Sequence, residues 1–208
     1  KGNLKVENLP MGTYELEEIK TLDGLVLNST KYEVKFEQKD LTTKVYEDIK
    51  DISNDTTMFE FSKKSVTGDD ELAKLSVIDE NNKIVDTWTS TKNTHKIEGL
   101  VVGKTYKLKE EIAPDGYVRA STIEFEVEST TKVQQVKMID KIVTMTKADI
   151  GGKEIEGAEI VVTDKDGNII DSWTSTKESH NIKGLEEGKT YILHEEYAPD
   201  GYVVATDV

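Results

Sequence analysis

Apolar and polar residues alternate in short runs along most of this chain, and helical spacing is scarce. The alternating runs fall at Val6, Tyr14-Leu16, Tyr32-Val34-Phe36, Phe59-Phe61, Leu75-Val77, Ile123-Phe125-Val127, Val136-Met138, Val143-Met145 and Ile160-Val162. They are rich in β-branched and aromatic residues, and turn residues separate them. Asn81-Asn82 and Asp166-Gly167 predict hairpin turns between runs, while Gly99, Gly103, Gly184 and Gly188 predict loops ahead of a tyrosine-led strand. Short strands at this spacing predict an all-β sandwich.

The pattern repeats. Residues 106–117, YKLKEEIAPDGY, return as YILHEEYAPDGY at 191–202, and TWTSTKNTHKIEGLVVGKTY (87–106) returns as SWTSTKESHNIKGLEEGKTY (172–191). A worn third copy, YELEEIKTLDGL, lies at 14–25. The repeat predicts residues 1–54 as the last part of one unit, 55–141 as a complete unit and 142–208 as a unit without its last strands. On this reading the chain is a piece of a longer array. Almost no linker separates Asp140 from Val143, so neighbouring units are expected to stack closely.

Alternation also turns charged residues inward. In the complete unit, Phe59, Phe61 and Lys63 share one strand face, Tyr106, Leu108 and Glu110 a second, and Val136, Met138 and Asp140 a third. Three strands thus send a lysine and two carboxyls toward one core. Buried charges cost several kcal/mol each unless they pair or neutralise. By spacing alone the trio reads as a buried ion-pair cluster, as an inward face wrongly assigned on one strand, or as a reactive constellation.

Composition narrows the partners. The formal net charge is −14, which argues against a nucleic-acid partner or an anionic membrane surface, since both need a basic face. The absence of cysteine excludes disulfides and thiolate metal sites. His95 and His180 fall at equivalent loop positions and His194 on an outward face, so the three histidines form no metal site. Asp164-Lys165-Asp166-Gly167-Asn168 lacks the order and the final glutamate of a calcium loop and reads as a turn. Trp88 and Trp173 read as packing residues. No nucleophile–base triad, phosphate loop or cofactor motif is present in the sequence.

Phe61-Ser62-Lys63, the Glu-x-x-Ala-Pro-x-Gly-Tyr run at 110–117 and VKMIDK at 136–141 closely resemble the Cna protein B-type domain family. These are stalk repeats of collagen adhesins, SpaA-like pilins and fibronectin-binding proteins of Gram-positive bacteria, and the fibronectin-binding-protein branch is especially similar. The resemblance implies tandem Ig-like (prealbumin-like) β-sandwich domains. It also implies an intramolecular isopeptide bond between a first-strand Lys and a last-strand Asp or Asn, promoted by an inward Glu. By motif position these are Lys63, Asp140 and Glu110. Burial favours the neutral amine and the neutral acid, the forms that such an amide-forming reaction needs.

In the third copy Lys147 and Glu195 hold the lysine and helper positions, and no acceptor strand follows. In the first, Glu18 holds the helper position, with Thr21-Leu22 in place of Ala-Pro and Leu25 in place of Tyr; Asn54 is the first-choice acceptor and Asp51 the second. The resemblance further implies a structural stalk without enzymatic turnover, outside the cell and anchored to the wall through another part of its parent. The partners expected are neighbouring repeats of the same parent, with a host matrix protein at a distant tip domain. The rival reading is a ligand-binding adhesin module for a matrix protein or glycan. It would show an exposed patch peculiar to one copy, whereas the copies here differ by what reads as scattered charge swaps.

Overall fold

The computed structural model describes residues 4–37, 42, 50–65 and 72–208, and the regular elements among them are strands. Near the N-terminus β1 (Gly12–Leu16) and β2 (Tyr32–Phe36) form an antiparallel pair, with Tyr14 opposite Val34. Val6, expected in a strand, lies in exposed coil instead. Its alternation is too short to bury a face, and no strand among the described residues pairs with it.

The complete unit is a two-layer sandwich. One sheet orders β5 (Ile84–Thr89), β4 (Lys74–Ile78), β7 (Thr105–Ile112) and β8 (Ile123–Glu126). The other orders β6 (His95–Glu98), β3 (Met58–Ser65) and β9 (Gln134–Asp140). All neighbours are antiparallel except β3 and β9, the first and last strands, which run parallel and centre the second sheet on β3. Parallel neighbours need a long crossover, and here the rest of the sandwich supplies it. Between the sheets Phe59, Phe61, Leu75, Val77, Leu108, Val127 and Met138 are buried, each from the inward-facing set of its run or just beyond its end. The Asp79–Lys83 turn joins β4 to β5, with Asn82 at φ 60, and Asp164–Asn168 joins the corresponding later strands, with Gly167 at φ 83. In the later turn Asp164 Oδ1 accepts the N–H groups of Asp166 and Asn168, as a hairpin cap does.

The following unit repeats part of this plan. β10 (Thr144–Met145) pairs with β13 (His180–Asn181), and β11 (Glu159–Asp164) lies between β12 (Ile169–Thr174) and β14 (Tyr191–Tyr197). Beyond β14 the chain turns back, and Val208 exchanges backbone hydrogen bonds with Leu193. His95 and His180 prove to start strands rather than sit in loops. Each stacks on a tryptophan, at 4.1 Å from Trp88 and 4.2 Å from Trp173, and each bonds an aspartate, Asp86 or Asp171. Flat rings prefer such partners, and Trp88 in turn packs on the Phe61 ring.

The units touch directly. Val118 leaves the middle sandwich and packs into the next core with Val162, Ile182 and Leu185. At the other junction Gly24, with φ +81, lies so close to the next unit that a Cβ there would meet the Gly99 carbonyl oxygen at 2.5 Å. Only glycine satisfies both that backbone angle and that approach.

Candidate functional site: a buried lysine–carboxyl cluster

β3 carries Lys63 inward because Phe59 and Phe61 already fix which face meets the core, and period-2 alternation does the rest. The same logic turns Glu110 inward on β7 and Asp140 inward on β9. The three side chains meet with no exposed surface: Lys63 and Glu110 are 0% accessible at the side chain, and Asp140 is 0% accessible as a residue. Lys63 Nζ donates to Asp140 Oδ1 and lies 3.0 Å from Glu110 Oε1. The parallel register sets Lys63 beside Met138 and Ser65 beside Asp140, so the lysine leans two residues along the strand to reach its partner.

Glu110 is held from behind. Its Oε2 accepts the Ala120 backbone N–H at 2.7 Å, leaving Oε1 toward the lysine. Burial pushes the Asp140 carboxyl up to about 6; contact with Lys63 opposes that rise, and the nearby Glu110 carboxyl adds to it. Among the described residues, Asp140 Oδ2 and Glu110 Oε1 are buried without a hydrogen-bond donor in bonding geometry. The raised Asp140 carboxyl is the one of the two that protonation relieves, since burial and the neighbouring Glu110 both disfavour its charge.

The other copies reproduce parts of the arrangement. Glu195 Oε2 accepts the Ala205 N–H at 2.6 Å, and Lys147 Nζ donates to the same oxygen at 3.0 Å. Glu195 Oε1 is buried without a hydrogen-bond partner. Lys147 lies just past β10 rather than within a long strand, because no counterpart of β9 pairs beside it among the described residues. Its side chain is accordingly 19% accessible. In the first copy Glu18 Oε2 accepts the Asn28 N–H at 2.7 Å and the Asn54 side-chain N–H at 2.5 Å. Asn54 matches Asp140 in place as well: Val26 N–H bonds Asp55 O as Val118 N–H bonds Lys141 O. Asp51, the second-choice acceptor, is exposed. The segment that carries Asn54 is coil up to the bridge of Thr56 with Leu25. The three helpers therefore share one device, a backbone N–H ten residues downstream.

The described residues hold no group of three or more His, Asp or Glu placed to bind a metal. Nor does any helix among them have the length and apolarity to cross a membrane. One junctional feature escaped the repeat comparison. Val101-Val102 become Glu186-Glu187 in the next copy, and those two glutamates are not scattered surface charge. Glu186 pairs with Arg119 and Glu187 with Lys141, across the boundary between units. The paired swap at one place was the signal that could have found them.

The model of the SpaA prealbumin-like fold domain matches residues 1–50, 57–142 and 141–208. No curated protein matches the chain. Among solved structures, the Bacillus anthracis TIE protein is 23% identical with a TM-score of 0.45, over 96% of this chain and 39% of that one. A streptococcal ancillary pilin is 19% identical with a TM-score of 0.37, over 96% and 71% of the two chains. The shaft pilin SpaA of Lactobacillus rhamnosus GG is 14% identical with a TM-score of 0.33, over 73% and 91%. This chain thus spans well under half of the Bacillus anthracis protein.

Proposed function

We propose that this chain, which belongs to the family of SpaA prealbumin-like fold domains, is a stalk segment of an extracellular bacterial adhesin or pilus whose complete repeat, 55–141, locks itself with a Lys63–Asp140 amide. The observation that carries this reading is one lysine and two carboxyls in mutual contact with no accessible side-chain surface. A permanent ion pair there gains little over apolar packing, whereas a neutral amide removes the cost of burying charge.

The chemistry needs the neutral amine and one protonated carboxyl. Moving the ammonium proton to the Asp140 carboxylate supplies both, and the raised Asp140 carboxyl favours that transfer. The Nζ lone pair then attacks Asp140 Cγ, the two side chains being held in direct contact inside the packed core. Glu110 takes one N–H proton and returns it to the departing hydroxyl. The C–N bond forms, the C–O bond breaks and one water leaves, with Glu110 restored. Each site reacts once, so the chain modifies itself and turns nothing over.

The amide joins the first and last strands of a sandwich, the two through which tension along a stalk enters and leaves. Lys147 with Glu195, and Glu18 with Asn54, are the corresponding partial sites of the flanking repeats, 142–208 and 1–54. The neighbouring repeats are the partners this reading assigns, with attachment to the wall through the parent protein.

Glu110→Ala tests the mechanism. The variant is expected to fold and to keep the full sequence mass, because Lys63 and Asp140 still meet but no group moves the proton. Intact mass and circular dichroism read both outcomes. A Glu110→Ala chain that loses its water as fast as the wild type would remove Glu110 from the reaction.

A further inference from the structure

Residues 118–121 run extended along the boundary between the second and third repeats, so successive N–H groups point to opposite edges. Two face the home repeat: Val118 N–H donates to Lys141 O at 2.8 Å and Ala120 N–H to Glu110 Oε2 at 2.7 Å. Two face the following repeat: Arg119 N–H donates to Leu185 O at 2.8 Å and Ser121 N–H to Glu187 Oε2 at 3.1 Å. Glu187 N–H returns a bond to Arg119 O at 2.9 Å. The other oxygen of Glu187, Oε1, pairs with Lys141, the residue after the acceptor Asp140. One carboxylate of the third repeat thus grips the residue after Ala120, which holds the helper, and the residue after the acceptor.

We infer that docking of the following repeat sets the geometry in which Lys63, Glu110 and Asp140 react, with Glu187 as the positioning residue that clamps Ser121 and Lys141. The inference rests on the amide proposed above. Rigid backbone contacts fix Ala120, and Ala120 fixes which Glu110 oxygen faces Nζ; an error of about 1 Å in such a placement can cost about a hundredfold in rate. The clamp is peculiar to this junction. Residue 27 precedes Asn28 as Arg119 precedes Ala120, and it is a leucine, while Val101-Val102 stand where Glu186-Glu187 stand in the next copy. The Lys141 ammonium, with the Ser121 N–H behind it, holds the Glu187 carboxyl down at about 2, so the clamp is charged at neutral pH.

The test follows newly synthesised full-length chain by intact mass over time and scores the loss of one water. Glu187→Ala is expected to slow that loss on the order of tenfold, a usual size for coupling between sites. Glu187→Gln, which keeps an acceptor for Ser121, is expected to recover most of the rate. Asp164→Ala, in the distant hairpin turn of the same repeat, should leave it unchanged. Amide exchange at Ala120 should quicken in Glu187→Ala and not in Asp164→Ala. A bonded wild type with an unchanged rate in Glu187→Ala overturns the coupling alone. Equal slowing in Asp164→Ala also overturns it, since the effect would then be general instability of the third repeat. A wild type that keeps its full mass overturns the amide, and the coupling with it.

Discussion

Lys63→Met is expected to lower the melting temperature of the complete repeat by roughly 20–30 °C, as a loss of about 4–5 kcal/mol does in a domain of this size. The magnitude comes from the loop that the proposed amide would close. Lys63 and Asp140 are 77 residues apart, and an unfolded chain cross-linked over that span loses entropy on the disulfide scale. Methionine keeps the unbranched shape and packs beside Phe61, so cavity formation adds little. The variant should also acquire a pH dependence that the proposed amide would abolish in the wild type. Without Lys63, the one neighbour that lowers it, the buried Asp140 carboxyl is pushed further above its ordinary 3.8. The folded state then binds a proton that the unfolded state releases, so stability is fullest below 3.8 and declines as pH rises through the folded value. Thermal melts of both proteins at acid and neutral pH check this. Equal melting temperatures would mean that no covalent bond was lost.

Val118→Asp carries the second large effect, at the junction between the middle and third repeats. Val118 belongs by sequence to the middle repeat but packs with Val162, Ile182 and Leu185, against Trp173 and Leu193. A carboxylate placed there is desolvated with no cationic partner among those residues, at a cost of several kcal/mol. The third repeat, with a three-stranded sheet and one short pair, has a small core with which to absorb it. Residues 142–208 are expected to lose hydrogen-exchange protection, while β3, β7 and β9 keep theirs. Val118→Ala should weaken the same region by about 2 kcal/mol, the value of the buried side chain. Retained protection in Val118→Asp would show that the two repeats fold independently.

The buried cluster was legible because strands are periodic. Once Phe59, Tyr106 and Val136 define inward faces, Lys63, Glu110 and Asp140 must follow, and the core leaves them nowhere else to go. The hairpin turns were legible for a similar local reason, since Asn82 and Gly167 supply the positive φ their turns require. The junction was not, because it is made by residues that look unremarkable within their own repeat. Nothing near Val118 in sequence names Leu185 as its neighbour. Arg119 and Glu187 lie on different repeats, and their contacts depend on how two sandwiches meet. The first copy was the least readable: Asn54 reaches Glu18 through a coil held by the Val26–Asp55 and Leu25–Thr56 contacts, and no periodic pattern marks a coil.

The decisive measurement is the intact mass of the denatured wild-type chain, followed by peptide mapping. The predicted result is a mass one water below that of the sequence and a branched peptide joining Lys63 to Asp140. Lys147, which meets Glu195 but no acceptor side chain among the described residues, should carry a free amine. A chain of full mass, with Lys63 and Asp140 recovered in separate peptides, would contradict the proposed lock.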